Sequence, residues 1–250
     1  MSLLAGLTTS KEINNEADNL GAGGVLETDL YESTITMAFL NKSKNGALGL
    51  NLHFKNADNR EFRQTLWIAS GDAKGNKNYY ENKQGEKNYL PGFLHADAIC
   101  LLTNGKGIAE MDTENKVVNV YSPEAKAEVP TQVEVLVDLL NEEIIIGLQK
   151  QVSDKNIQND DGVYVPSGET REENEIDKIF RAKDGMTTAE IRAGAEEAKF
   201  VHSWKEKWEG KTRDRSTKGA GGGARSGAPA RPGGAQAAGK QRASLWSGAK

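Results

Sequence analysis

The sequence predicts a mainly β fold with added helices, of the α+β class. Three observations carry that expectation. Residues 31–69 run as three segments of alternating side chains separated by turn residues. An apolar stretch opened by Pro91 and stopped by Asn104-Gly105 places one helix among the strands. A late stretch near 187–208 repeats apolar residues at helical spacing.

The first 24 residues are polar and glycine-containing and read as a lead-in; one domain is expected over 25–210. Tyr31, Ser33, Ile35, Met37 and Phe39 alternate with Thr34, Thr36, Ala38 and Leu40, which suits a strand covered on both faces. Asn45-Gly46 is a hairpin dipeptide. Leu48, Leu50, Leu52 and Phe54 then share one face, with Gly49, Asn51, His53 and Lys55 on the other. After a turn at 56–59, Phe62, Gln64, Leu66 and Ile68 oppose Arg63, Thr65 and Trp67. These segments predict a three-stranded antiparallel meander. Residues 71–88 read as a long polar loop or ragged hairpin around Tyr79-Tyr80, and loops of that length are functional or disordered. In the helix that follows, Phe93, Leu94, Ala98, Leu101 and Leu102 are spaced for one buried face.

Short strands are expected at 117–121, 131–137, 143–152 and 175–182, with a turn-rich excursion at 159–170. Thr187 or Thr188 caps a single helix running to about Trp208, with Ile191, Ala195, Ala198, Val201, Trp204 and Trp208 on its docking face. Strands with an inserted helix suit an OB-type antiparallel β-barrel.

Charge divides the chain. The net charge of the 250 residues is −4, yet residues 211–250 hold nine basic residues and one acid. Those forty residues also contain nine Gly and nine Ala, and lack the apolar bulk to offset ordering entropy. They are expected to be a disordered basic tail, apart from Leu245-Trp246 as a short docking element. The body is acidic, but residues 42–87 carry nine basic residues against five acids. With 37% apolar residues and short apolar runs, no segment is expected to span a bilayer. The N-terminus lacks the basic and apolar regions of a secretory signal. Cys100 is the only cysteine, which excludes an internal disulfide and fits a reducing compartment; its apolar neighbours mark it as core filler.

Catalytic patterns are missing. His95 and Asp97 do not share a helical face, and His53 and His202 stand apart from them. Asn104-Gly105-Lys106-Gly107 follows a helix rather than a strand and reads as a helix stop, not a phosphate loop. The acidic run 169–177 reads as a solvated loop, with a hard-cation site as the lesser reading. No enzyme activity, metal or cofactor is expected. The positive signal lies in the meander and its loop. Lys42, Lys44, His53, Lys55, Arg60 and Arg63 lie near Trp67, and Lys74, Lys77, Lys83 and Lys87 surround Tyr79 and Tyr80. Cations neutralise phosphates and interleaved aromatics stack bases, which is what a single strand requires. Arg213 and Arg215 extend the basic set into the tail.

Several phrases add a resemblance. They are Leu90-Pro91-Gly92-Phe93 with Asp97 to Thr103, Glu124-Ala125-Lys126 to Val129-Pro130-Thr131 with Val133 to Leu136, Gly168 to Arg171 with Glu173 to Ile176, and Ala195 to Gly210 leading into Lys211-Thr212-Arg213. Over roughly 25–215 the chain resembles the single-stranded DNA-binding proteins of tailed bacteriophages. That resemblance implies an OB-type fold, sequence-independent binding and protection of single-stranded DNA, replication and recombination partners, and the cytoplasm of an infected bacterial host. Proteins of this function often end in an acidic tail, whereas this chain ends in Lys and Arg. The tail is therefore expected to add salt-sensitive DNA contacts rather than to mimic DNA. An alternative expectation is a virion structural or assembly protein whose basic tail contacts nucleic acid; a nuclease using the acidic run is a third.

Overall fold

In the computed structural model the described residues are 24–122, 124–158 and 164–217. The lead-in before Gly24 and the tail from Lys218, including Leu245-Trp246, lie outside the described residues.

The meander forms where it is expected, but a bulge between Ile35 and Met37 breaks the alternation of its first strand, so Ile35 faces the core while Met37 and Phe39 face outward. Strands β1 (Asp29–Lys42), β2 (Leu48–Asn56) and β3 (Glu61–Trp67) pair antiparallel in chain order. Gly46 takes φ +76° in the first turn, a left-handed conformation that costs glycine little. Ser43 Oγ accepts from the Ala47 amide at 3.0 Å and fixes the turn. The inward face is apolar: Ile35, Leu50, Leu52, Phe54 and Leu66 are buried. Each such side chain contributes about 1.5–3 kcal/mol through burial.

The long polar stretch is ordered. It folds into a 3₁₀ turn (Asp72–Lys74) and a two-stranded sheet of β4 (Tyr79–Glu81) and β5 (Lys87–Tyr89). Asn82 Oδ1 accepts from the Gln84 and Glu86 amides, both at 2.9 Å, and closes the hairpin. Helix α1 (Pro91–Asn104) follows and ends at Gly105, φ +71°. It buries Ala96, Ile99, Cys100 and Leu102. Burial pushes the Cys100 thiol up to about 12, so it is core filler with no thiolate reactivity at neutral pH.

Five more strands complete an eight-stranded, mainly antiparallel sheet: β6 (Glu114–Ser122), β7 (Ala127–Val135), β8 (Glu143–Gln158), β9 (Tyr164–Arg181) and β10 (Thr212–Asp214). The path runs β10-β8-β1-β2-β3, with β9 on the other edge of β8 and the β6–β7 hairpin joined to β1 through β7. Among the described residues β3 and β9 share no ladder, so the sheet is open at that seam. Helix α1 packs against both strands. Its first turn lies so close to β3 that a Cβ on Gly92 would stand 2.4 Å from the Trp67 carbonyl oxygen. His95 reaches β9, where its ring donates to the Asp177 backbone. At the other end of the seam, Asn174 holds the strap around Leu26 that leads into β1. Its Oδ1 accepts from the Leu26 amide and its Nδ2 donates to the Leu26 carbonyl, each at 2.8 Å.

Burial, opposed by the Asp177 contact, holds the His95 pKa below its ordinary value of 6.5. The folded state thus prefers neutral His95, and its contribution is complete above pH ~6.5 and declines as pH falls through the lowered folded value. Between pH 7.5 and 5.5 the wild-type chain should lose more thermal stability than His95→Gln, whose amide can still donate but does not titrate. Parallel pH profiles would rule this out.

Further expectations need correction. Within the expected excursion, the described residues 164–170 are strand: β8 and β9 extend to Gln158 and Tyr164 and pair as one long arm. The acidic run 169–177 therefore lies in β9, not in a loop. The single late helix is two, α2 (Thr188–Arg192) and α3 (Phe200–Trp208). Gly194 at φ +67° breaks it, and Glu190 caps the second piece by accepting from the Lys199 and Phe200 amides, both at 2.8 Å. Desolvation opposes ionisation of Glu190, but amide bonds from Thr187, Phe200 and Lys199 outweigh it and hold the carboxyl at about 2. Lastly, the folded body does not stop at Gly210, because β10 pairs in parallel with Lys150 to Val152 of β8. Composition misses this strand, which gains its stability from a distant partner and not from its own side chains.

Candidate nucleic-acid interface

The outward face of the meander is a ladder set by register. Asn41, Gly49 and Trp67 stand in one row; Phe39, Asn51 and Thr65 in the next; Met37, His53 and Arg63 in the third. Gly49 matters here. With no side chain on β2, the Trp67 ring lies across the strand, and a Cβ on Gly49 would come within 3.2 Å of it. Trp67 is 46% exposed, a large aromatic surface left open on a rigid floor. Thr65 donates to Asn51 Oδ1 at 2.7 Å. Asn41 Oδ1 and Asn51 Nδ2 are buried without a hydrogen-bond partner among the described residues. Buried polar atoms of this kind carry a desolvation cost that a ligand or water normally relieves.

The β6–β7 hairpin turns this face into a groove of about 240 Å³. Asn119 and Tyr121 of β6 form a wall beside the floor residues Asn51, His53, Arg63 and Thr65. Tyr121 is 59% exposed and adds a second aromatic that the sequence reading did not single out. Only the three-dimensional return of β7 onto β1, at Phe39–Val135 and Leu40–Glu134, brings it there. His53 packs edge-on against Phe39 at 5.9 Å. Desolvation first, and the Arg63 charge second, lower its pKa. At neutral pH it therefore offers a neutral ring rather than a cation. Arg63 Nη1 reaches Glu128 of β7 at 2.9 Å.

The remaining sequence-predicted residues fall into four places. Lys42 ends β1 and Lys44 occupies the following turn, 3.9 Å from Glu124. Lys55 stands on the outward face beyond His53, opposite Glu61. Arg60 turns to the seam instead and donates to the Gly24 carbonyl at 3.0 Å. The loop set separates in two. Lys74 and Lys83 are exposed on turns, whereas Lys77 and Lys87 lie over the Tyr79 ring at 5.5 and 4.6 Å. Tyr79 meets Tyr89 edge-on at 6.1 Å, and Tyr89 stacks on Phe93 at 5.5 Å, so Tyr79 begins an aromatic row that runs through β5 into α1. Tyr80 pairs opposite Asn88.

Arg213 and Arg215 do not join the groove. They lie against β8 and β9, where Arg215 Nη1 meets Glu175 at 2.7 Å and Arg213 Nη1 lies 3.9 Å from Asp177. Among the described residues no three His, Cys, Asp or Glu side chains converge as a metal site would require, and no helix is long and apolar enough to cross a membrane. No family model and no curated protein sequence matches the chain.

Proposed function

We propose that the chain binds single-stranded DNA, without sequence preference, in the groove between the outward face of the meander and the β6–β7 hairpin. The observation that carries this reading is the Trp67 ring laid over Gly49, in the row next to the groove that Asn51, His53, Arg63 and Tyr121 line. An exposed aromatic on a fixed floor accepts any base, because every base has a π-face. Arg63, Lys44 and Lys55 flank that floor with charge for phosphates. The strand order β3-β2-β1-β8-β9, with α1 between β3 and the later strands, supports reading the open sheet as an OB-type fold. In this reading the protein covers and protects single strands during phage replication and recombination. The basic tail strengthens the complex through salt-sensitive contacts. A truncation that tests the tail belongs after Thr217, so that β10 is kept.

The test is titration of a labelled oligo-dT against a duplex of equal length, at two salt concentrations. Preference for the single strand, with affinity falling by a log–log slope of about −0.7 per phosphate neutralised, is the expected result. Equal binding to both would leave only a basic tail acting on any polyanion.

A further inference from the structure

We infer that the β6–β7 hairpin is an electrostatic latch, whose carboxylates occupy the groove's cations until a nucleic-acid strand replaces them. The inference rests on the groove being the single-strand site. The hairpin joins the main sheet through Phe39–Val135 and Leu40–Glu134. It packs on a small apolar cluster centred on Phe39, Val133 and Val135, separate from the principal core. Beyond that root it extends along the meander face, and among the described residues no ladder joins it to β3. Two ion pairs tie it down: Glu128 Oε1 to Arg63 Nη1 at 2.9 Å, and the looser Glu124 to Lys44 at 3.9 Å.

Glu128 therefore stands where a phosphate would have to stand. Carboxylate and phosphate oxygens accept the same guanidinium donors, so the two compete for Arg63. When a phosphate takes Arg63, Glu128 is released and the hairpin loses its tie to β3, so its wall residues Asn119 and Tyr121 can settle around the strand. The exchange has a measurable cost. A freed carboxylate recruits a cation from solution, so net counter-ion release is smaller than the number of phosphates neutralised. The free groove is also less attractive to unrelated polyanions than its lysines and arginines suggest.

Glu128→Gln tests the latch, because the amide keeps the shape and gives up the charge. With oligo-dT at low salt, Glu128→Gln should bind about two- to five-fold more tightly than wild type, the range expected for a half-exposed ion pair. Its salt dependence should be steeper. Glu114→Gln is the control. Glu114 lies on the same hairpin, pairs with Lys116 at 3.2 Å, and makes the same change in net charge. It should leave affinity near the wild-type value. In an Arg63→Ala background the gain from Glu128→Gln should disappear. A gain no larger than that of Glu114→Gln, or one that persists without Arg63, overturns the latch while leaving the groove in place. If wild type does not bind oligo-dT at all, the reading of the groove falls, and the latch with it.

Discussion

Trp204→Ala is expected to lower the unfolding midpoint by roughly 6–20 °C, from a loss of about 3–5 kcal/mol. Trp204 is 2% exposed and fixes α3 to the sheet in three ways. Its ring packs edge-on to Phe180 at 6.3 Å. It covers Gly147, where an added Cβ would meet the indole at 3.0 Å. Its Nε1 donates to Asp177 Oδ2 at 2.7 Å. Asp177 is available because the β8–β9 register shifts after Gly147, leaving it as the bulged residue between Lys178 and Ile176. The chain leaving α3 then ties into the strap: Gly210 N donates to the Thr28 carbonyl at 2.8 Å, and Thr28 Oγ1 donates to the Lys211 carbonyl. Releasing α3 thus loosens β10 and the segment around Thr28 together. Trp204→Phe separates the contributions: the ring stays, the hydrogen bond goes, and the loss should shrink to about 1–3 kcal/mol. A midpoint unchanged in Trp204→Ala would mean that α3 does not dock in this way.

Trp67→Ala should give the opposite pattern. Oligo-dT affinity is expected to fall about 5- to 150-fold, the equivalent of 1–3 kcal/mol for one stacked base. The unfolding midpoint should move by no more than a few degrees, since the half-exposed ring seals no cavity in the principal core. Equilibrium binding and a thermal melt on the same variant check both halves. Lost stability with unchanged affinity would mark Trp67 as a structural cover for Gly49, and the groove would lose its base platform.

The two tryptophans also show what the sequence makes legible. Strict alternation across Leu48–Lys55 and Phe62–Trp67 assigns the side chains of β2 and β3 to their faces, so Trp67, Arg63 and His53 are found together from pattern alone, whereas the bulge after Ile35 in β1 leaves no such trace. Proline at the start and glycine at the stop delimit α1 for equally local reasons. Elements held by distant partners stay hidden. Residues 153–158 and 164–174 carry no apolar period, and they form strand because β8 and β9 complete each other's hydrogen bonds. Apolar spacing runs unbroken through 191–208, yet the Gly194 turn and the Glu190 cap divide the helix and leave Ile191 exposed. Arg60 and Arg213 read as cations like Arg63, but tertiary placement sends one to the seam and the other to the acidic face of β9. Tyr121 lay unmarked in a strand whose neighbours only the hairpin's return to β1 supplies.

The most direct measurement is a competition experiment. Labelled oligo-dT is held by the full-length chain at low and at moderate salt, and displaced by unlabelled single strand or by duplex of the same length. Binding along the face that holds Trp67 and the Arg63 groove predicts that single strands compete far better than duplex at both salt concentrations, and that Trp67→Ala removes most of that margin. Equal competition by duplex, or a margin untouched by Trp67→Ala, would contradict the groove as the site of binding.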